Sequence, residues 1–269
     1  MIICNRFVNI RVLLPAHYLT FAPMTTILGI IPARYASTRF PAKALAMING
    51  KTMVQRVYEQ ALLASSLQQV IVATDHQLIY DHILAVGGQV VMTSSRHPSG
   101  TDRCFEALQK SHFSCDYVIN IQGDEPFIQP AQINILAACL QDKQTEIATL
   151  VKKIEDSHTL HDPNKPKVLL NVKGEAIYFS RQALPYIRGT EKEHWLEKHT
   201  FYKHIGMYAY RTDVLAKLTE LPVSGLEKAE ALEQLRWLEN GYRIKAAITP
   251  YDTMGIDTPE DLQKALAAL

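Results

Sequence analysis

Three positively charged side chains follow the first apolar run of the chain. Arg34, Arg39 and Lys43 come after the run Ile27–Ile31, and residues 1–58 contain no Asp or Glu. Arginine offers a planar fork of donors to phosphate oxygens, and lysine offers a mobile point charge. This pattern indicates a polyphosphate site, with a solvated basic loop as the alternative.

Two carboxylates are placed where they could complement such a site. Asp124 follows the apolar segment Tyr117–Ile121, and Asp257 precedes the last helical pattern. Mg²⁺ prefers hard oxygen ligands and takes one or two carboxylates together with substrate phosphates. Both residues are therefore candidate metal ligands. The alternatives are an ion pair with Arg or Lys for Asp124, and a capping or turn role for Asp257.

Further polar residues could contact a base or a sugar. Gly100 permits a close backbone approach at the start of a helix, between Ser99 and Thr101, although the segment could be only an N-cap turn. Gln122 presents both a donor and an acceptor. His204 and Tyr208 share one face of a strand, because side chains alternate with period two. A buried structural role is the alternative for His204.

Apolar runs and helical patterns alternate along the chain, which predicts βαβ units and an α/β fold of Rossmann-like type, with a mostly parallel sheet covered on both faces. Strands are expected over residues 27–31, 70–73, 90–92, 117–121, 147–151, 168–172, 176–180, 204–211 and 243–249. Helices are expected over residues 52–65, 78–86, 101–109, 130–140 and 226–239, and Thr258 and Pro259 open a last one. Ligands bind outside the carboxyl ends of parallel strands, which selects residues 32–43, 94–103 and 122–126.

The composition excludes several classes of protein. The chain has 269 residues, 47% of them hydrophobic, and a net charge of +1, which is typical of one or two globular domains. We expect no nucleic-acid partner that depends on bulk charge. Residues 12–33 carry no charge, but prolines at positions 15, 23 and 32 fit a membrane span poorly. We expect no membrane partner, a cytoplasmic location, and a dispensable extension over residues 1–23.

Familiar catalytic motifs are missing from the sequence. Gly50-Lys51-Thr52 matches the end of a P-loop, but Leu45 stands where its first glycine is required, and no G-x-G-x-x-G follows the first strand. His194, His199 and His204 do not form the H-E-x-x-H pattern of zinc proteases. No C-x-x-C pair occurs among the cysteines. An ordinary dehydrogenase, P-loop NTPase or zinc ribbon is therefore not indicated.

Several segments together resemble the sugar nucleotidyltransferase family, and in particular its cytidylyltransferases for 3-deoxy-manno-octulosonate (Kdo). They cover about residues 25–269 in order, and are residues 31–43 (IPARYASTRFPAK), 97–103 (HPSGTDR), 120–126 (NIQGDEP), 232–236 (LEQLR) and 255–262 (GIDTPEDL). Two departures are clear, and one is that residues 1–23 have no counterpart in the family. The family usually has Pro-Gly-Lys-Pro-Leu where this chain has Pro41-Ala42-Lys43-Ala44-Leu45, and alanine adopts positive φ less easily than glycine.

The resemblance implies a nucleotide-diphospho-sugar transferase fold. Residues 24–150 would form the nucleotide-binding lobe and residues 151–269 a smaller lobe for sugar binding and dimerisation, with the last strand and helix packing back on the sheet. It also implies Mg²⁺-dependent transfer of CMP from CTP to Kdo by a homodimer, giving CMP-Kdo for lipopolysaccharide synthesis. The alternatives are a cytidylyltransferase for another acid sugar such as sialate, a different NTPase, and a non-catalytic CTP-binding module.

The resemblance also assigns roles to residues. The catalytic residues would be Arg34, Lys43, Asp124 and Asp257, the two carboxylates holding Mg²⁺. The nucleotide would be bound by Arg34, Arg39, Lys43, Ser99, Gly100, Thr101 and Gln122. The sugar would be bound by Gln122, Arg181, His204, Tyr208, Glu233 and Gln234, with Arg181 on its carboxylate. A solvated helix face is the alternative for Glu233 and Gln234.

Overall fold

The computed structural model describes residues 25–36 and 40–267. Its strands are β1 Ile27–Ala33, β2 Met47–Ile48, β3 Lys51–Thr52, β4 Gln69–Thr74, β5 Val90–Met92, β6 Tyr117–Asn120, β7 Ile147–Lys153, β8 Lys167–Leu170, β9 Ala176–Ser180, β10 Tyr202–Arg211 and β11 Ile244–Ile248. Its α-helices are α1 Met53–Leu62, α2 Gln77–Ala85, α3 Gly100–Ser111, α4 Pro130–Ala138, α5 Ser157–His161, α6 Trp195–Lys198, α7 Thr212–Glu220, α8 Gly225–Glu230, α9 Gln234–Glu239 and α10 Pro259–Ala267. The predicted strands are all present, with ends shifted by a few residues.

One nine-stranded sheet forms the centre of the described chain. Seven strands follow the order β11-β7-β10-β6-β1-β4-β5, and β8 joins through β10 and carries β9. The pairs β6–β1, β1–β4, β4–β5 and β7–β11 are parallel, whereas β10 runs antiparallel to both β6 and β7. The prediction of a mostly parallel sheet with flanking helices is confirmed.

The hydrophobic core lies in two layers, one on each face of the sheet. Ile27 and Ile31 of β1 belong to one layer, while Leu28 and Ile30 belong to the other, as the period of a strand requires. The helices α1, α2 and α4 supply buried residues to the first layer, and α3, α7 and α9 supply them to the second. A strand that is buried on both faces has a continuous apolar sequence, which explains why β1 could be predicted as a strand from the sequence.

The single helix predicted over residues 226–239 is wrong. Two helices, α8 and α9, replace it, and Ala231 between them has the left-handed backbone angle φ 49°. The carbonyls of Glu230 and Ala231 accept hydrogen bonds from Arg181, at 2.6 and 3.2 Å. These contacts come from a distant part of the chain, so the apolar periodicity of the segment could not reveal the break.

The proposed lobe boundary near residue 150 falls within β7. Strands from both sides of that position belong to the same sheet, since β10 and β11 both pair with β7. The C-terminal helix begins as the sequence predicted, because the Thr258 hydroxyl accepts from the Asp261 amide at 3.2 Å and Pro259 is the first helical residue. The assignment of residues 151–269 to sugar binding and dimerisation stays a prediction.

Candidate active site

A polar cavity of about 400 Å³ lies at the carboxyl ends of β1 and β6. It is lined by residues 32–34, 43–44, 97–100, 103, 122–124 and 257. The sequence placed three separate segments at this edge of the sheet, and each of them contributes to the lining. Parallel strands bring such segments together, because their carboxyl ends meet at one edge.

Lys43 is held between the two carboxylates that the sequence singled out. Its Nζ donates to Asp124 Oδ2 at 2.8 Å and to Asp257 Oδ1 at 3.0 Å. The Lys43 side chain is 14% exposed, whereas those of Asp124 and Asp257 are 33% and 47% exposed. Two carboxylate oxygens therefore converge on one cationic atom at the cavity wall.

The backbone of the basic loop adopts the conformation that glycine favours. Ala42 has φ 56° and ψ 23°, and its amide donates to the carbonyl of Tyr35 at 3.1 Å. A 3-10 turn over Lys43–Leu45 follows and directs Lys43 to the cavity. The replacement of the usual glycine by Ala42 thus preserves the left-handed turn, at the steric cost that a Cβ brings there.

Close packing between β1 and the segment after β6 brings Asp124 to this position. A Cβ on Gly123 would lie 2.7 Å from the carbonyl oxygen of Pro32, a distance that no larger residue tolerates without a backbone shift. Arg34 also lines the cavity, one residue after the end of β1. Arg39, the third predicted cation, lies outside the described residues.

The N-terminus of α3 forms another wall of the cavity. The Ser99 hydroxyl caps the helix by accepting from the Asp102 amide at 3.2 Å, so the N-cap interpretation is confirmed. Ser99 and Gly100 line the cavity, whereas the buried Thr101 turns away and donates to Glu233 Oε2 at 3.0 Å. Thr101 therefore connects the cavity wall to a second polar group of residues.

We call this second group the β10–α9 cluster; it consists of His204, Tyr208, Glu233 and Gln234. The His204 Nε2 and the Thr149 hydroxyl are 3.0 Å apart, and the rings of His204 and Tyr208 are 5.1 Å apart. Within the described residues, the buried Gln234 Nε2 has no hydrogen-bond partner. Buried donors are normally paired, so this amide is an exception within the cluster.

Burial sets the ionisation behaviour of the β10–α9 cluster. Desolvation lowers the pKa of His204 to about 3, so the imidazole is neutral near neutral pH. Desolvation also raises the pKa of Glu233, and the hydroxyls of Ser99 and Thr101 oppose that effect. The cluster therefore offers neutral hydrogen-bonding groups beside a partly desolvated carboxyl, which suits hydroxyl groups better than phosphates.

Gln122 joins the cavity to β10. Its Nε2 donates to the carbonyl of Gly206 at 2.7 Å, and its side chain lines the cavity. Gly206 lies where the pairing of β10 with β7 shifts register, between Ile205 and Tyr208. The irregularity exposes a carbonyl to a side chain instead of to the neighbouring strand, which fixes Gln122 between the two polar regions.

Comparison with known proteins identifies the family. The cytidylyltransferase family model matches residues 28–244. The 3-deoxy-manno-octulosonate cytidylyltransferase of Cytophaga hutchinsonii is 60% identical over 88% of this chain and 95% of its own length. That of Parabacteroides distasonis is 59% identical over 91% of this chain and 99% of its own. The chain belongs to the 3-deoxy-manno-octulosonate cytidylyltransferases.

Solved structures agree with this membership. A CMP:2-keto-3-deoxy-manno-octonic acid synthetase complexed with CTP superimposes with a TM-score of 0.84 at 40% identity, covering 91% of this chain and 98% of that one. A 4-diphosphocytidyl-2C-methyl-D-erythritol synthase from Anaerococcus prevotii shares the fold alone, with a TM-score of 0.58 at 13% identity, over 91% and 98% of the two chains. Across the described residues, no helix is long and apolar enough to cross a membrane.

Of the six residues predicted to bind the sugar, only Gln122 lines the cavity of this cytidylyltransferase. Four others form the β10–α9 cluster, and Arg181 lies apart from both. Arg181 donates through Nε, Nη1 and Nη2 to the carbonyls of Glu230, Pro163 and Ala231. It does not line the cavity, and its guanidinium holds the break between α8 and α9 instead. The assignment of Arg181 to the sugar carboxylate stays a prediction.

Two charged or ionisable residues of this cytidylyltransferase line the cavity without having been assigned a role from the sequence. His97 bonds to the carboxylate of Glu106 through Nε2, and Arg103 pairs with Asp75 at 2.9 Å. Asp75 also accepts from the amide of Tyr35 at 3.2 Å, so Arg103 helps to fix the start of the basic loop. Both belong to the segment of residues 97–103, and that location was the available signal.

Proposed function

We propose that this chain transfers CMP from CTP to Kdo, releasing pyrophosphate and forming CMP-Kdo. Relatives at 59–60% identity over most of the chain carry that activity in their names, and the similar solved structure was obtained with CTP. The observation that carries the proposal is the single cavity in which basic residues, two carboxylates and the N-terminus of α3 meet, next to the β10–α9 cluster.

In the reaction, the anomeric hydroxyl of the sugar attacks the α-phosphorus in line and pyrophosphate leaves. Arg34, Arg39 and Lys43 would neutralise the triphosphate and the departing pyrophosphate, and Ser99, Gly100, Thr101 and Gln122 would position the nucleotide. The transfer needs no covalent intermediate with the protein, so positioning and charge stabilisation supply the catalysis.

Asp124 and Asp257 are the residues that would hold Mg²⁺. Their oxygens already converge on one cation, the ammonium of Lys43, within 3.0 Å. The proposed donor set is this pair of carboxylates. That pair fits Mg²⁺, which completes its shell with substrate phosphates and water. When bound, Mg²⁺ polarises the phosphate that is attacked.

The sugar would bind against the β10–α9 cluster. Gln122, His204, Tyr208, Glu233 and Gln234 offer hydrogen bonds to hydroxyl and carboxylate groups, and Gln234 Nε2 is unpaired within the described chain. Arg181 remains the proposed ligand of the sugar carboxylate, and its guanidinium donates to three backbone carbonyls in the structure. We further propose that the enzyme is a cytoplasmic homodimer.

Pyrophosphate release tests the proposal. Each of CTP, UTP, GTP and ATP is incubated with the full chain, with and without Kdo, in Mg²⁺ or in EDTA. Release only with CTP, Kdo and Mg²⁺ supports the base, the sugar and the metal together. Release of pyrophosphate with sialate and not with Kdo would show that the substrate is another acid sugar. CTP binding without turnover on any acid sugar would indicate a non-catalytic binding module.

A single substitution tests the metal ligands. Asp124→Asn removes one of the two carboxylate charges and should lower kcat about 10²–10³-fold, the scale of a lost group that stabilises transition-state charge. Circular dichroism and thermal unfolding show whether the variant is folded. Near-normal turnover in a folded variant would refute the role of Asp124.

A further inference from the structure

The loop that carries Asp257 has few backbone anchors. We call residues 249–258, between β11 and α10, the Asp257 loop. Tyr251, Asp252, Met254 and Gly255 are exposed, and Ile256 is buried in a small apolar cluster. The Ile256 amide donates to the carbonyl of Asp124 at 2.9 Å, which ties the loop to the other candidate metal ligand.

Two lysines from adjacent strands hold the first half of this loop. Lys203 of β10 and Lys152 of β7 are register partners. The Lys203 Nζ donates to Asp252 Oδ1 and Oδ2 at 2.7 and 2.8 Å, and the Lys152 Nζ donates to the carbonyl of Pro250 at 2.9 Å. The strand that carries His204 and Tyr208 is therefore attached directly to the loop that carries Asp257.

The burial of Lys203 distinguishes it from an ordinary surface lysine. Its side chain is 10% exposed, whereas that of Asp252 is 54% exposed. Placing an ammonium in the protein interior is costly unless a charge partner and hydrogen bonds compensate it. An ion pair between two exposed side chains would contribute little to stability. Lys203 instead extends from the buried sheet to an exposed loop, and it therefore stabilises one position of that loop.

We propose that Lys203 and Asp252 are positioning residues for the Asp257 carboxylate. The proposal rests on the proposed function of this cavity. Asp252 fixes the loop four residues before Ile256, whose amide is bonded to Asp124, so the pair limits how far Asp257 can move relative to Asp124. Because Lys203 precedes His204 on β10, the same pair sets the spacing between the β10–α9 cluster and the two carboxylates.

Hydrogen exchange of the free protein tests the positioning itself. In Asp252→Asn, the amides of residues 251–258 should exchange about tenfold faster, since the loop opens more readily without its anchor. Leu218→Ala is the matched control, because Leu218 is buried in α7, outside the cavity, and its loss lowers stability generally. Unchanged exchange of the loop in a folded Asp252→Asn would overturn the proposal.

A double variant separates positioning from simple stability. In Lys203→Met with Asp252→Ala no buried charge is left unpaired, so the melting temperature should return towards that of the natural chain. We expect the loop amides of the double variant to exchange fast nonetheless. The single variant Asp252→Glu, which keeps the negative charge, should exchange as slowly as the natural chain. Recovery of both melting temperature and slow exchange in the double variant would show that the pair acts only on stability.

Catalytic measurements then connect the loop to the site. The Mg²⁺ concentration for half-maximal rate should rise severalfold in Asp252→Asn, and calorimetric binding of Mg²⁺ in the presence of CTP should weaken equally, whereas Leu218→Ala should alter neither. Equal Mg²⁺ dependence in the two variants would contradict the proposal. Hydrogen exchange needs no substrate, so failure of the proposed reaction would leave the exchange result interpretable.

Discussion

The charge of the cavity is set by the contacts of Lys43. One ammonium lies within 3.0 Å of two carboxylates, so these three groups together carry one more negative than positive charge. A cation that binds Asp124 and Asp257 competes with Lys43 for the same oxygens. Binding of a metal ion there would thus release the Lys43 ammonium and make it available to a phosphate.

Ala42 provides a test at a single backbone position. Its left-handed conformation costs about 1–2 kcal/mol for a residue with a Cβ, and glycine loses about 0.5–1 kcal/mol more entropy on folding. Ala42→Gly should therefore raise the free energy of unfolding by about 0.5–1 kcal/mol. Urea unfolding measures the change.

Ala44 is the matched control for that substitution. It lies in the same turn and is not among the described positive-φ residues, so Ala44→Gly should lower the free energy of unfolding. An equal decrease in the free energy of unfolding in both variants would show that the strain at Ala42 is relieved in solution.

His204 predicts a pH dependence of stability. Burial lowers its pKa in the folded chain to about 3, so between that value and 6.5 the unfolded chain binds more protons. The stability that the neutral imidazole contributes is therefore fully present above pH 6.5. As the pH falls below that value, the free energy of unfolding decreases by at most about 1.4 kcal/mol per pH unit. Urea unfolding of the natural chain and of His204→Gln should show a stability difference that shrinks from pH 7 to pH 5. A difference that does not change with pH would contradict this.

At the scale of elements, the break between α8 and α9 decides where Glu233 and Gln234 point. Ser224 and Glu227 form a capping box at the start of α8, and Arg236 of α9 reaches back to Glu227 with two hydrogen bonds at 2.8 Å. The two short helices thus fold on each other through a buried ion pair. A continuous helix would place these side chains along one straight face instead.

Arg181 predicts how this break responds to mutation. Arg181→Ala removes the donors to the carbonyls of Glu230 and Ala231, which water can partly replace. We therefore expect a loss of about 0.5–1.5 kcal/mol in the free energy of unfolding and a higher KM for the sugar. Thermal unfolding and steady-state kinetics measure the two effects. A raised KM with unchanged stability would indicate instead that Arg181 contacts the sugar.

At the scale of the whole molecule, the proposed homodimer requires an interface between two copies of the chain. Among the described strands, β9 pairs only with β8, and Ile177 on it is 57% exposed. Unpaired edge strands with exposed apolar residues favour association. Light scattering after size exclusion should give about twice 30.3 kDa, and Ile177→Lys should shift the mass towards one chain.

A second exposed apolar residue controls for the added charge. Leu63 follows α1 and is 67% exposed, so Leu63→Lys should leave the dimer intact. A monomeric natural chain, or equal dissociation in both variants, would refute the proposed interface.

Local sequence determined the strands of the central sheet and the edge at which the site forms. The apolar runs of β1, β4 and β6 are continuous because both faces are buried, and parallel pairing carries residues 32–34, 97–100 and 122–124 to one cavity. The identities of the candidate residues Lys43, Asp124 and Asp257 also followed from their types and positions.

Tertiary structure alone decided which partners these residues take. Lys43 bonds to Asp257 across 214 positions, Arg181 holds carbonyls 49 and 50 positions away, and Lys203 reaches Asp252 across 49. The break after Glu230 depends on the same kind of distant contact. Periodicity and motif spacing report on neighbours along the chain, whereas hydrogen bonds and ion pairs between distant segments exist only once the sheet has brought those segments together.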